Sequence, residues 1–339
     1  MRYSFYHKDL EEVVCQRRPT IVAVGGCHIL DYEIRTEFIE ANGLTFEVNT
    51  CGSGDRFALC LHGFPEHAFT WRYQLPFLAN LGYTVWAPNL RGYGRSSRPK
   101  NVADYKIDCL TADVAGLIDA SGAHSTLLVG HDWGGIIAWM FALQALRPID
   151  HLIVMNIPHP KRFREQYRRW PQIRKSWYIF WFQIPWLPEF TLGLKGAKIV
   201  GDAFYTTAVD KARFPEEVLD VFRKNALRPG ALTAMINYYR ANSRICKGGL
   251  FAEHRKALES VLETPTLMIW GEKDIALGKE LTYGTEDLVT DLTLRYLPGV
   301  SHWVQQEAPD TVNAMVEAWL TGKEVPNAES SVRKTLVKS

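Results

Sequence analysis

Two periods run along this chain. Apolar and polar residues alternate over 34–39 and again over 44–48, with Asn42-Gly43 between them, which predicts two half-buried strands joined by a tight hairpin. Gly52-Ser53-Gly54-Asp55 turns the chain into a third apolar run at 57–61, and after a helical stretch a fourth strand is predicted at 83–87. Leu110, Val114, Leu117 and Ile118 then fall on one helical face, with Gly122 placed to stop it. Residues 127–129 form a short apolar run ending at Gly130. After Asp132-Trp133-Gly134-Gly135, an almost wholly apolar run covers 136–146 and is stopped by Pro148. This reads as strand, sharp turn and helix, followed by a strand at 151–155. Strands alternating with helices in this way predict a parallel sheet built from βαβ units.

The pattern changes after Asn156-Ile157-Pro158-His159-Pro160. No strand signal appears until 266–270, while aromatic residues crowd in: Phe163, Tyr167, Trp170, Trp177, Tyr178, Phe180, Trp181, Phe182, Trp186 and Phe190. Sheet order then resumes, with a last strand at 292–297. A helical insertion between two halves of such a sheet is expected to roof the carboxyl ends of the strands as a cap. The predicted division is therefore an N-terminal extension (1–30), a first part of the core (31–157), a helical cap (158–251), the second part of the core (252–322) and a mobile tail (323–339). The extension has weak patterning and suggests only packing along the sheet edge. Most cap aromatics are expected to pack against one another. The few left over, with Trp177 and Trp181 as candidates, would line an apolar pocket together with Phe64, Trp133 and Trp303.

Composition narrows the partners. Across 339 residues, 39 basic and 37 acidic side chains leave a net charge of +2, so no polyanion and no nucleic acid is implied. Six cysteines without a C-x-x-C pair point to reduced thiols and no metal site. The N-terminus lacks a signal-peptide core, and its most apolar stretch, 21–30, is too short to span a bilayer, so a cytoplasmic protein is expected. Residues 161–175 hold seven basic side chains and one acid. A solvated face is the plain explanation; contact with an anionic membrane is the less favoured one, since no clean amphipathic pattern is present. Monomer and homodimer both stay open.

The chemistry sits in Leu127-Leu128-Val129-Gly130-His131-Asp132-Trp133-Gly134-Gly135. Small residues two positions to either side of Asp132 let strand and helix approach closely and push that residue out at the top of the sheet. The segment resembles the nucleophile elbow of the α/β-hydrolases, with aspartate where esterases and lipases carry serine. A carboxylate suits attack on a saturated carbon bearing a leaving group, giving an ester on the enzyme. The bland rival is Asp132 as a helix cap. His62-Gly63-Phe64-Pro65-Glu66 is similar to the oxyanion loop of the same fold, in the form met in epoxide hydrolases. It implies that the N–H groups of Phe64 and Trp133 aim at one point, with His62 as a local turn residue.

In that fold the order along the chain is nucleophile, acid, histidine. Gly271-Glu272-Lys273-Asp274 follows one predicted strand and Pro298-Gly299-Val300-Ser301-His302 follows the next, which proposes Asp274 and His302 and leaves Glu272 as a competitor for the acid. Pro88-Asn89 departs from the family, which usually carries aspartate where this chain has Asn89. That position supports loops and does not react. Ser176-Trp177-Tyr178-Ile179-Phe180-Trp181-Phe182-Gln183 and Asn237-Tyr238-Tyr239-Arg240 resemble the two tyrosine sites of epoxide hydrolase caps, which identifies Tyr178 and Tyr239 as donors to the epoxide oxygen.

The resemblance covers 33–322. It implies an α/β-hydrolase fold: a mostly parallel central sheet flanked by helices, with an inserted helical cap. The implied activity is conversion of a small apolar epoxide and water to a vicinal diol through an ester on Asp132, without cofactor or metal. A haloalkane dehalogenase, whose family shows H-G-N-P where this chain has Phe64, and a silent small-molecule-binding member of the fold remain as alternatives.

Overall fold

Asn42 (φ 50°) and Gly43 (φ 70°) both take positive φ, the backbone of a two-residue turn that matches strand twist. They join β1 (Arg35–Ala41) to β2 (Leu44–Cys51), with Ala41 opposite Leu44. The computed structural model describes residues 32–167, 170–242 and 252–328. The expected N-terminal extension, the last stretch of the expected cap and most of the expected tail therefore lie outside the described residues.

Six further strands complete one sheet: β3 (Arg56–Leu61), β4 (Tyr83–Pro88), β5 (Thr126–His131), β6 (His151–Met155), β7 (Thr266–Gly271) and β8 (Leu292–Leu297). Their order is β1-β2-β4-β3-β5-β6-β7-β8. The first two pairings are antiparallel and the rest parallel. Central strands are buried on both faces. Leu59, Leu128, Val154 and Met268 join one core cluster, while their neighbours Ala58, Leu127, Ile153 and Leu267 join the other. This two-sided burial is why these strands appear in the sequence as unbroken apolar runs.

Helices α1 (Gln74–Asn80), α2 (Ile107–Ser121) and α3 (Trp133–Gln144) carry crossovers of the first half. Gly122, at φ 71°, ends α2 as predicted. The central helix α3 starts three residues before the apolar run and ends before Pro148, at Ala145 in left-handed geometry. It is apolar all round because it is nearly all buried.

Between β6 and β7 the described residues contain helices and turns and no strand: α4 (Pro160–Gln166), α5 (Trp170–Lys175), α6 (Trp177–Trp181), α7 (Leu187–Thr207), α8 (Glu216–Ala226) and α9 (Ala231–Asn242). The α7 axis breaks at Leu194–Ala197. Side-chain bonds tie this insertion to the sheet's loops: Tyr238 Oη donates to Arg91 O (2.9 Å), Asn225 Nδ2 to Glu66 O (3.1 Å), and Trp303 Nε1 to Thr207 Oγ1 (2.8 Å).

The second half of the core adds α10 (Arg255–Glu259), α11 (Val304–Glu307) and α12 (Pro309–Leu320). Two expectations need correction. The segment expected to be mobile from 323 is packed as far as it is described: Val325 and Ala328 are buried, and Val325 O accepts from Arg295 Nε (3.1 Å). The insertion's aromatics do not mostly pack inward either. Trp170, Trp177, Phe180, Trp186 and Phe190 are exposed.

Candidate active site

Parallel strands place their carboxyl ends on one edge, so every loop that leaves them meets there. From that edge come Gly63 and Phe64 after β3, Asp132 after β5, Asn156 after β6, Asp274 after β7 and His302 after β8.

Asp132 holds φ 50° and ψ −121°, a conformation a non-glycine residue adopts only under constraint. It stands at the start of α3 but makes no side-chain cap bond, so the helix-cap explanation fails. Its carboxylate instead faces the site. Oδ1 accepts from Phe64 N–H (2.8 Å), and Oδ2 lies 3.6 Å from His302 Nε2. Trp133 opens α3, where first-turn N–H groups have no partner within the helix. The elbow needs its glycines. A Cβ on Gly63 would sit 2.4 Å from Asp132 Cβ, and one on Gly134 would meet Leu61 O at 2.1 Å.

His302 Nδ1 is 2.6 Å from Asp274 Oδ2, whereas Glu272 pairs with Lys279. Asp274 is heavily bonded: Oδ1 accepts from the N–H of Ala276 (2.8 Å) and Leu277 (2.9 Å), and Oδ2 from Asn156 Nδ2 (2.8 Å). Burial alone would lift the carboxyl pKa of Asp132 and Asp274, but His302 and these donors hold both below their ordinary values. His302 is the mirror case. Burial opposes its charge, yet Asp274 first and Asp132 with it push it up to about 10, so the resting imidazole is a cation between two carboxylates.

Three residues with no role assigned from the sequence complete the frame. Asn156, at φ 45°, bonds Asp274 and also accepts from Gly271 N–H (2.8 Å), fixing β6 to β7 beside the acid. Glu66 is fully buried; it accepts from Gly63 N–H (2.7 Å), Thr70 Oγ1 (2.5 Å), Gln305 Nε2 (3.0 Å) and Gln306 Nε2 (3.1 Å). His131 bridges Glu66 Oε2 and His302 O, at 2.8 Å each. Their signals in the sequence are polar side chains inside otherwise apolar motifs: an asparagine just after a strand, a glutamate closing His62–Glu66 and a histidine before Asp132. His62 serves its own turn: Leu90 N–H donates to Nε2 (3.1 Å), and Nδ1 meets Gly63 O (2.9 Å). Burial lowers its pKa to about 4, so it is neutral. Asn89 is a buried support whose Oδ1 accepts from Ala68 N–H and whose Nδ2 donates to Glu47.

Above the carboxylate lies an aromatic cluster from the insertion. The Tyr239 ring is 5.2 Å from Phe64, 5.1 Å from Trp133, 4.8 Å from Phe182 and 5.9 Å from Tyr178. Burial first pushes both tyrosine hydroxyls up, with Asp132 next for Tyr178 and Tyr178 ahead of Asp132 for Tyr239, which keeps them protonated. Tyr178 Oη has no hydrogen bond among the described residues. Tyr238, the neighbour in sequence, points away to Arg91.

A cleft of about 500 Å³ reaches Tyr178 and is lined by Arg174, Lys175, Trp177, Tyr178, Ile275 and Ala276. Of the expected pocket residues, Trp177 is on this wall, at its exposed outer rim. Phe64 and Trp133 belong to the ring cluster below, and Trp181 lies half-buried against Phe182 (5.3 Å). Trp303 departs from expectation. It is buried behind His302, its ring 4.3 Å from Phe204, and braces α7.

Residues 59–309 match the family described as alpha/beta hydrolase fold. The chain is 38% identical over 289 residues to epoxide hydrolase 4 of Homo sapiens, covering 83% of this chain and 77% of that protein. Over 277 residues it is 37% identical to epoxide hydrolase 3 of Xenopus tropicalis, covering 79% and 73%. Among solved structures it is similar to a Bacillus megaterium epoxide hydrolase in complex with an inhibitor, with a TM-score of 0.76 and 28% identity, covering 84% of this chain and 100% of that one.

Proposed function

The chain belongs to the epoxide hydrolases of the α/β-hydrolase fold, and from that premise we propose how its own residues divide the reaction. The substrate is a small apolar epoxide. Asp132 Oδ2, the oxygen not held by Phe64 N–H, attacks a ring carbon. The C–O bond of the ring breaks with its electron pair on oxygen, and Tyr178 or Tyr239 gives that oxygen its proton. The product of this half is a hydroxyalkyl ester of Asp132.

Forming the ester removes the negative charge of Asp132, one of the influences that keep His302 protonated. The imidazolium then passes its proton to the tyrosinate left by ring opening, which restores the phenol, and the neutral ring becomes the base, with Asp274 orienting it. Water loses a proton to Nε2 and adds to the ester carbonyl; the oxyanion on Oδ1 rests on the N–H groups of Phe64 and Trp133. Collapse breaks the bond to the substrate oxygen, which takes the proton of the newly added hydroxyl as the diol leaves, and returns a carboxylate that carries one oxygen from water.

The observation that carries this reading is the Asp132 side chain held between a backbone donor and His302 on a constrained backbone, under two protonated phenols. A single turnover in heavy-oxygen water tests it. The diol should carry no label and the label should appear on Asp132; label in the diol would mean direct attack by water and would end the proposal.

In this reading the helices between β6 and β7 act as the cap domain. The expected helix-side donors are Tyr178 and Tyr239, and the cleft beside Trp177 is the way in.

A further inference from the structure

Helix α6 has two apolar sides. Tyr178 and Phe182, one turn apart, face inward onto Tyr239 and Phe64. Trp177 and Phe180, three residues apart on α6, and Ile184 in the turn that follows it are 62%, 48% and 43% exposed. Further along, Trp186 (70%) and Phe190 (59%) lie one turn apart at the start of α7 and extend the apolar exposure. Soluble surfaces scatter such residues singly; a run of large ones marks a contact surface.

Two cations beside this stripe make no direct ion pair among the described residues. Lys161, Arg162 and Arg164 all meet acidic side chains. Arg174 and Lys175 meet none among the described residues, the closest polar contact of Lys175 being the backbone oxygen of Asp274 (3.5 Å). Both cations line the cleft, as do Trp177 and Tyr178.

We propose that the exposed face of α5, α6 and the start of α7 docks on an anionic lipid surface, so that the cleft opens into the membrane interface. Aromatic side chains enter the headgroup region and the two cations face lipid phosphate or carboxylate. The proposed contact is peripheral; no helix among the described residues is long and apolar enough to cross a membrane. A second protein copy seated on the same stripe would close the cleft mouth at Trp177, whereas a fluid leaflet leaves it open. The benefit to the enzyme rests on the reaction proposed above, since apolar epoxides partition into lipid; the docking itself does not depend on it.

Co-sedimentation of the full chain with phosphatidylcholine vesicles, with and without a third of phosphatidylserine, tests this. Binding is expected to the mixed vesicles and to weaken with salt. Phe180→Ser, Ile184→Ser and Trp186→Ser combined should cut the bound fraction about ten-fold and leave turnover of a water-soluble epoxide unchanged, which also reports an intact fold. Arg174→Glu should lower binding to the mixed vesicles about five-fold or more and spare binding to the neutral ones. Asp132→Ala, dead in turnover, should still sediment, which separates this proposal from the reaction. Wild-type protein that stays in solution with both vesicles, or a triple variant that binds as wild type does, overturns the proposal. So does a wild-type dimer in solution that the triple substitution makes monomeric, because a second copy would then own the stripe.

Discussion

The two sides of the site are built on opposite principles. On the sheet side, Asp274 and His302 are buried ions joined by a short bond, Asp132 is a partly buried one held by Phe64 N–H, and Asp274 alone takes three donors besides the imidazole. On the insertion side, Tyr178 and Tyr239 sit in a cluster of rings, and the Tyr178 hydroxyl has no competing bond among the described residues. Bonds position charges to within a fraction of an ångström, whereas ring packing tolerates movement. The sheet side is thus expected to react to substitution in an all-or-none way, and the insertion side in a graded one.

The strongest test of that contrast is Asp132→Ala, expected to lower kcat by about 10⁴-fold or more in steady-state assays, since no other group replaces a nucleophile. His302→Gln should stop turnover as completely but by a different route. Ring opening continues, and intact-protein mass should rise by one substrate; the unmodified mass after incubation would remove His302 from the second half-reaction. Asp274→Asn is expected to cost about 10²- to 10⁴-fold.

The same substitution should bring the His302 pKa down from about 10, as read by imidazole NMR titration. The sign carries over to stability. Because folding raises this pKa above 6.5, the contribution is full below pH 6.5 and fades as pH climbs through about 10. The wild-type melting temperature should therefore fall more between pH 7 and 10 than that of Asp274→Asn. Tyr178→Phe and Tyr239→Phe should each cost about 10²-fold in kcat, the double variant more. If either alone matched Asp132→Ala, the contrast between the two sides would be wrong. Asn156→Ala, one bond removed from the acid, should cost about ten-fold and lower the His302 pKa slightly.

What the sequence made legible follows the same division. The central strands and α3 announce themselves because burial on all sides leaves only apolar residues, and the elbow does so because its glycines are forced by atoms at about 2 Å. Asp274 could be placed on a loop but not separated from Glu272 by pattern, since the choice depends on which carboxylate turns toward His302. Asn156 and Glu66 were in view without a role: a hydrogen bond across strands leaves no periodic trace. The insertion misled most. Ten aromatics in one stretch look like a core, and only the spacing of inward and outward faces on a helix as short as α6 reveals that half of them are not.

Glu66 has one more consequence. Its carboxylate gathers the turn after β3, the end of β5 through His131 and the first residues after His302 into one knot. A loop that lacks these partners, grafted into either of the other two places, would leave the Glu66 carboxylate short of a donor in the interior. Anyone seeking to retune the enzyme should exchange all three together, or leave them alone and work on the helices above.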